Sequence, residues 1–186
     1  MALEMFDRSG FDETTVEQIC ERAGVSVRTF FRYFGSKTTV LWTEVEREIE
    51  TLRTALTKQP ASRSIADAVR VAILESNHAN AANGVNMRTR FRIVHAASQA
   101  RTRWHFEELW VNAVSEFAGS RLGSPADSFL PRAVGLSAVA VCRAAAEQWE
   151  RSPELSLLDL LDEALSIWSE GFSRVLADRS GGTEVD

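Results

Sequence analysis

Apolar residues recur at spacings of three and four along most of the chain, and the strict alternation that predicts β-strands is almost absent. Ala, Leu, Glu and Arg, which favour helices, fill these segments. The four prolines, at positions 60, 125, 131 and 153, fall between the segments or near a helix start. The pattern therefore predicts an all-α protein of about nine helices.

Capping residues and glycines set the predicted helix ends. Ser or Thr can cap a helix at its N-terminus, and Gly ends one at its C-terminus. The predicted helices are Ala2–Ser9, Val16–Arg22, Ser26–Phe34, Lys37 to the low fifties, Ile65–Asn80, Val85–Ala97, Arg101–Arg121, Phe129–Trp149 and Leu155–Ala177.

The segment from Thr15 to Phe34 has the pattern of a helix-turn-helix. Apolar residues at helical spacing, including Ile19, give the first helix a buried face. Gly24 can take a positive φ, so the two helices can turn sharply against each other. We expect Val25 to fill the corner between them.

The second helix of this motif is predicted to face DNA. Phe30 and Phe34 are four residues apart and place one side of the helix in the core. Every charged residue between Arg22 and Thr43 is basic, although the whole chain has a formal net charge of −5. The residues assigned to DNA contact are Thr15, Ser26, Val27, Arg28, Thr29, Phe31, Arg32, Tyr33 and Lys37.

These residues suit a recognition helix in the major groove of double-stranded DNA. Arg28 can donate two hydrogen bonds to a guanine, and Thr29 can reach thymine methyls or polar base edges. Thr15 and Lys37 lie at helix N-termini, where backbone N–H groups favour phosphate, and Tyr33 is also placed for phosphate. Each arginine taken alone is more often a solvated surface charge, so the prediction depends on the joint pattern.

The stretch Phe6–Leu41, which contains FDRSGFDETTVEQICERAGVSVRTFFRYFGSK, resembles the TetR family of one-component repressors. The resemblance implies a helix-turn-helix DNA-binding domain over residues 1–40 and a helical ligand-binding and dimerisation domain over residues 41–177. It also implies a homodimer formed through the last two long helices. The family's first helix is usually longer and follows a basic arm, so no arm contacts are assigned. Residues 178–186, with Ser-Gly-Gly, are predicted as a disordered tail.

A narrower resemblance rests on VRTFFRYFGSK, the aromatic Trp42 and the arginine-rich MRTRFRIV. These strings are similar to an actinobacterial branch of the family that includes the mycofactocin-system regulators. The branch resemblance implies an acyl-CoA-like ligand.

Candidate ligand residues are large aromatics and arginines of the second domain. The aromatics can line an apolar cavity, although ordinary core packing is the more common role. The arginines can form a cationic rim for acyl-CoA phosphates. Solvated or salt-bridged arginines are the favoured alternative. The candidates are Trp42, Arg88, Arg92, His95, Trp104, Trp110, Phe117 and Trp149.

The last predicted helix has a broad apolar stripe that is expected to be buried against its own domain and a partner. Alanines on the preceding helix permit close approach, and the two helices predict a C2 four-helix interface. The stripe consists of Leu157, Leu161, Ala164, Leu165, Trp168, Phe172 and Val175, widened by Leu158, Leu160 and Ile167.

Several classes of protein are excluded or disfavoured. The three histidines are scattered and no HExxH, GxSxG, Walker loop or dinucleotide fingerprint occurs, so we expect neither an enzyme nor a metal or cofactor. Cys20 and Cys142 are interpreted as reduced core thiols. With no apolar run long enough for a bilayer and no signal peptide, the expected location is cytoplasmic, at the nucleoid when DNA-bound.

The favoured function is a repressor released from a pseudo-palindromic operator by an apolar or acyl-CoA-like effector. The alternative is a helix-turn-helix regulator with no effector, and a cavity in the second domain would distinguish the two.

Overall fold

The computed structural model describes residues 1–82, 100–152 and 154–180, and every regular element among them is a helix. The eight helices of these residues are α1 (Ala2–Ser9), α2 (Val16–Ala23), α3 (Val27–Phe34), α4 (Lys37–Thr57), α5 (Ile65–Ala82), α6 (Ala100–Leu122), α7 (Phe129–Arg151) and α8 (Leu157–Ser180). The prediction of an all-α protein is confirmed.

The observed bounds differ from the predicted ones mainly at C-terminal ends. Helix α4 continues to Thr57 rather than ending in the low fifties. Helix α8 runs to Ser180, three residues into the segment 178–186 that was predicted as a disordered tail. The predicted helix Val85–Ala97 and residues 181–186 lie outside the described residues.

Three successive helices begin at side-chain caps. The hydroxyl groups of Thr15, Ser26 and Ser36 accept hydrogen bonds from the backbone N–H three residues later, at 3.2, 3.1 and 3.2 Å respectively. Each bond satisfies one of the N–H groups that a helix leaves without an intrahelical partner. Short-range polar chemistry therefore fixes where α2, α3 and α4 start.

One continuous apolar core joins the first three helices to the rest of the chain. Phe6, Ile19 and Phe30 are buried where α1, α2 and α3 meet. The core continues along α4 through Val45 and Leu52, both of which are almost fully buried. Helix α4 is thus shared by the N-terminal helices and by the larger bundle, where it packs on α5 and α6.

Helices α6 and α7 approach each other closely at Gly135. A Cβ atom at this position would lie 2.3 Å from the Oγ of Ser115 and 2.6 Å from the carbonyl oxygen of Val111. Nearby, Arg132 of α7 donates to both carboxylate oxygens of Glu108 on α6, at 2.9 and 2.8 Å. The lack of a side chain at Gly135 lets the two helices approach closely, and the ion pair between Arg132 and Glu108 joins them.

The predicted stripe on α8 is largely an intramolecular surface. Leu161, Leu165 and Trp168 are buried, and the Trp168 Nε1–H donates to Ser137 Oγ on α7 at 2.9 Å. Ile167 lies on a different side of α8 and is 69 % exposed. The described residues of the stripe therefore pack α8 onto its own domain, and the side of the helix that carries Ile167 is exposed. The side chains of Phe172 and Val175 lie outside the described residues.

An arginine side chain of α6 holds the connection between α4 and α5 in place. The Arg121 guanidinium donates to the carbonyl oxygens of Ala61 and Pro60, at 2.8 and 2.7 Å. An ion pair between Arg53 and Glu116 joins α4 to α6 further along. The C-terminal half of α4 is thereby attached to the bundle.

Helix α7 is long and apolar enough to cross a membrane by length and composition, which the sequence analysis did not expect. In the fold it packs between α6 and α8 and buries Val134, Gly135 and Ala138. A helix from the core of a globular domain passes the same test. Its composition is therefore weak support for a membrane span.

The two cysteines are free thiols, as predicted. Cys20 is buried in the N-terminal core. Burial raises the pKa of the Cys142 thiol to about 12, so this group stays protonated at neutral pH.

Candidate DNA-binding surface and ligand domain

A tight turn sets helices α2 and α3 against each other. Gly24 has φ 67° and ψ 29°, and its N–H donates back to the carbonyl oxygens of Cys20 and Glu21. Glycine adopts this left-handed conformation at little energetic cost, whereas residues with a side chain are strained in it. Val25, which follows, is 41 % exposed, so the expectation that it fills the corner is wrong. Ile19 and Phe30, both 3 % exposed, fill the core instead.

Helix α3 has one apolar side and one basic, aromatic side. The Phe30 and Phe34 rings lie 5.2 Å apart at the core. On the other side, Arg28 and Arg32 are exposed, Phe31 is 48 % exposed and Tyr33 is 70 % exposed. In the part of the chain that the structure describes, neither arginine forms an ion pair. The surface therefore offers two arginines and exposed rings to a ligand.

Two neighbouring side chains of this surface have local partners. The Arg32 guanidinium lies 4.9 Å from the centre of the Tyr33 ring, and its Nη2 donates to the Tyr33 Oη at 3.4 Å. At the start of the helix, Ser26 and Thr29 share a hydrogen bond of 2.9 Å between their hydroxyls. Val27 is half-buried beside them.

Thr15 marks the N-terminus of α2. Its Oγ1 accepts from the Gln18 N–H at 3.2 Å, and the Gln18 Oε1 accepts from the Thr15 N–H at 2.9 Å, which completes a capping box. Thr15 is exposed, so it combines a capping role with access to a ligand.

Lys37 has partners that the sequence analysis did not foresee. Its ammonium donates to the carbonyl oxygens of Phe11, Asp12 and Thr14, at 2.6, 3.3 and 2.9 Å. The predicted use of this group was contact with phosphate, but in the structure its donors are engaged within the protein. A lysine at the first position of a helix was the available signal, because the helix dipole disfavours a cation there.

The candidate ligand residues are only partly within the described structure. Arg88, Arg92 and His95 lie outside the described residues, and so do the side chains of Trp42 and Trp104. Trp110 and Phe117 are half-buried and pack against the apolar core from α6. Trp149 is half-buried near the end of α7. Trp110 and Phe117 lie seven residues apart on α6 and therefore share one side of that helix.

Buried polar side chains are concentrated in α5. Ser76, Asn77 and Asn80 are each less than a tenth exposed. Ser76 and Asn77 donate to the carbonyl oxygen of Ile73, at 2.9 and 2.8 Å. The Asn80 Nδ2 forms no hydrogen bond within the described residues. A buried amide donor without a partner is costly, so this atom is a candidate for contact with a ligand.

Helices α7 and α8 each expose a row of apolar or small residues. On α7, Leu136 is 50 % exposed, and the exposed Ala140 and Ala144 follow at intervals of four residues. On α8, Ile167 is exposed, and four residues later a Cβ at Gly171 would meet only open space. We call these five residues the outer face of α7 and α8.

Two capped helices joined by a tight turn, with a basic side on the second and a larger helical bundle behind them, define a DNA-binding transcription regulator. The chain belongs to the TetR family of such regulators. Residues 1–41 match the family model described as "Bacterial regulatory proteins, tetR family". Residues 63–173 match the one described as "MftR C-terminal domain". Both the family and the branch expected from the sequence are confirmed.

Similar proteins agree with this assignment. The chain is 26 % identical, over 94 % of its length and 89 % of the relative's, to a protein of Mycobacterium tuberculosis named as the mycofactocin biosynthesis transcriptional regulator MftR. The fold resembles the fatty acid degradation regulator FadR from Bacillus halodurans, with a TM-score of 0.68, 15 % identity and coverage of 91 % and 95 % of the two chains. It also resembles Thermus thermophilus FadR, a repressor solved with lauroyl-CoA, with a TM-score of 0.61, 24 % identity and coverage of 100 % and 92 %. The family and these relatives are transcription regulators rather than enzymes.

Proposed function

We propose that this regulator is a repressor that binds a pseudo-palindromic operator as a homodimer and leaves it when an apolar or acyl-CoA-like effector binds. In this proposal residues 1–40 form the DNA-binding domain and residues 41–177 bind the effector and the second protomer. It acts in the cytoplasm. The observation that carries the proposal is the exposed side of α3, where Arg28 and Arg32 form no ion pair within the described chain.

The DNA contacts of the proposal follow from the positions of the residues on α3. Arg28 lies in the first turn of the helix, the part of a recognition helix that reaches base edges in the major groove. Val27, Thr29 and Phe31 supply methyl and ring contacts next to it. Tyr33 and the N-terminus of α2 at Thr15 are placed at the flanks for phosphate.

The Arg28 contact is tested with a duplex selected from a random library by the full-length protein. We expect Arg28→Ala to weaken binding about 10- to 100-fold and to relax the preference at one base position in each half-site, because a bidentate arginine–guanine contact is lost. Fluorescence anisotropy with single-base variants of the duplex measures both effects.

The matched control for Arg28→Ala is Arg151→Ala. Arg151 is an exposed arginine at the end of α7, remote from α3 in the chain. Its removal should leave both affinity and base preference unchanged. If Arg28→Ala weakens specific and random duplexes equally, the assignment of Arg28 to base contact is wrong.

The effector part of the proposal has separate support. Trp110 and Phe117 place aromatic surface at the edge of the core, and the Asn80 amide supplies a buried donor. An acyl thioester offers an apolar chain for aromatic surface and a carbonyl acceptor for an amide donor. Lauroyl-CoA is the ligand in the Thermus thermophilus FadR structure.

Lauroyl-CoA is therefore the first probe. We expect it to raise the Kd for the selected duplex at least tenfold, because an effector that prefers the DNA-free conformation lowers DNA affinity by that preference. Anisotropy titrations with lauroyl-CoA and with free CoA measure the effect, and free CoA should be much weaker. If saturated acyl-CoA esters of several chain lengths leave the Kd for DNA unchanged, the proposed effector class is wrong. The DNA-binding part of the proposal would be unaffected.

A further inference from the structure

The ammonium of Lys37 lies at a junction between three helices. Lys37 is the first residue of α4, and the carbonyl groups that accept from it belong to the segment between α1 and α2. An ammonium has three N–H donors, and the three acceptors at 2.6, 2.9 and 3.3 Å match that number. The arrangement is a binding site for the ammonium at the edge of the N-terminal core.

An aromatic ring completes this cation site. The Lys37 Nζ lies 4.5 Å from the centre of the Phe11 ring, and the Phe11 ring packs edge-on against the Phe6 ring at 4.9 Å. Phe6 is 1 % exposed. The cation–π contact and the three carbonyl dipoles together offset the unfavourable position of a cation at a helix N-terminus.

The segment held by Lys37 leads directly into the helix-turn-helix. Thr14 is 1 % exposed and its hydroxyl donates to the Gly10 carbonyl at 2.7 Å. The next residue is Thr15, the cap of α2. A bond from α4 to the Thr14 carbonyl therefore constrains where α2, and with it α3, begins.

We propose that Lys37 is a positioning residue for DNA binding, whose ammonium ties the start of α4 to the segment 11–14 and so sets the placement of the helix-turn-helix. This inference rests on the proposed DNA-binding function. The competing role is the one expected from the sequence, direct contact with phosphate. To contact phosphate, the ammonium would have to move away from the three carbonyl oxygens to which it now donates. Those charge-assisted hydrogen bonds would then be lost.

The two roles differ in their dependence on salt. A lysine that neutralises a phosphate releases a counterion, so its loss reduces the slope of log K against log salt by about 0.9 per contact. The loss of a positioning lysine leaves the phosphate contacts in place but makes the arrangement that binds DNA less populated. Its loss lowers affinity by the same factor at each salt concentration.

The test uses full-length protein and a mixed-sequence duplex of about 30 base pairs, titrated by anisotropy between about 50 and 200 mM KCl. Lys37→Arg and Lys37→Met are compared with the wild type. A guanidinium binds phosphate at least as well as an ammonium does, but its planar fork cannot place three donors on these converging carbonyls. We expect both variants to bind on the order of tenfold more weakly than the wild type, with an unchanged salt slope in each.

Arg32→Gln is the control that shows a slope change can be detected. It removes an exposed cation from α3 and should reduce the slope. Wild-type affinity and slope for Lys37→Arg, together with a reduced slope for Lys37→Met, would overturn the proposal in favour of phosphate contact.

A second measurement is independent of DNA. Hydrogen exchange of the free protein, read by mass spectrometry on peptides covering residues 11–18, should be at least severalfold faster in both Lys37 variants than in the wild type. Exchange rates equal to the wild type in Lys37→Arg would contradict the tie between α4 and this segment. If the wild type fails to bind any duplex while the exchange difference is present, the proposed function fails and the positioning contact stands.

Discussion

At the residue scale, Gly135 illustrates a position where the missing side chain decides the packing of two helices. In an exposed helix interior, replacing glycine by alanine stabilises by about 1 kcal/mol. At Gly135 the added Cβ would lie 2.6 Å from the backbone carbonyl of Val111, which cannot rotate away as the Ser115 hydroxyl can. The expected sign is therefore reversed.

We expect Gly135→Ala to lower the free energy of unfolding by about 1–3 kcal/mol, because helices α6 and α7 must separate to admit the methyl group. Urea unfolding followed by circular dichroism measures it. Ser120→Ala, at an exposed position of α6, is the control and should be neutral or slightly stabilising. A Gly135→Ala variant at least as stable as this control would show that the close approach is not rigid.

At the element scale, most helix starts were predictable because they depend on local chemistry. Thr15, Ser26 and Ser36 each bond to a group three residues away, and such a bond can be inferred from sequence alone. The four-residue spacing of Phe30 and Phe34 likewise predicted which side of α3 faces the core. Helix ends were less certain because fraying and packing decide them, as α4 and α8 show.

Pairings between distant elements could not be predicted. Lys37 bonds to carbonyls more than twenty residues earlier, and Arg121 to carbonyls about sixty residues earlier. The periodicity of α8 showed that it was apolar on several sides, but the partner of each side depends on the three-dimensional arrangement. Trp168 therefore belongs to the intramolecular core and Ile167 to the outer face.

At the scale of the whole molecule, the proposed dimer accounts for the outer face of α7 and α8. Exposed apolar residues and small residues share this face, which allows two copies of the helix pair to approach closely about a two-fold axis. Dimerisation also doubles the basic surface of a chain whose formal net charge is −5. Two half-site contacts made together bind far more tightly than one.

We expect Ile167→Glu to convert the dimer into a monomer, because the substitution buries a charge at the interface. Light scattering after size exclusion should give twice the 20.7 kDa of one chain for the wild type and that mass alone for the variant. Binding to the selected duplex should fall at least 100-fold. Thr54→Glu, an exposed position on α4, is the control, and a dimeric Ile167→Glu variant would place the interface elsewhere.

The attachment of α4 at both ends gives it the mechanics of a lever. Its 21 residues span about 31 Å, with Lys37 bonded to the segment before α2 at one end and the loop after Thr57 bonded to Arg121 at the other. A rotation of about 5° about the Arg121 end displaces the Lys37 end by about 2.7 Å, which is close to the rise of about 3.4 Å per base in DNA. A small tilt of α4 would thus shift the start of the helix-turn-helix by nearly one base step.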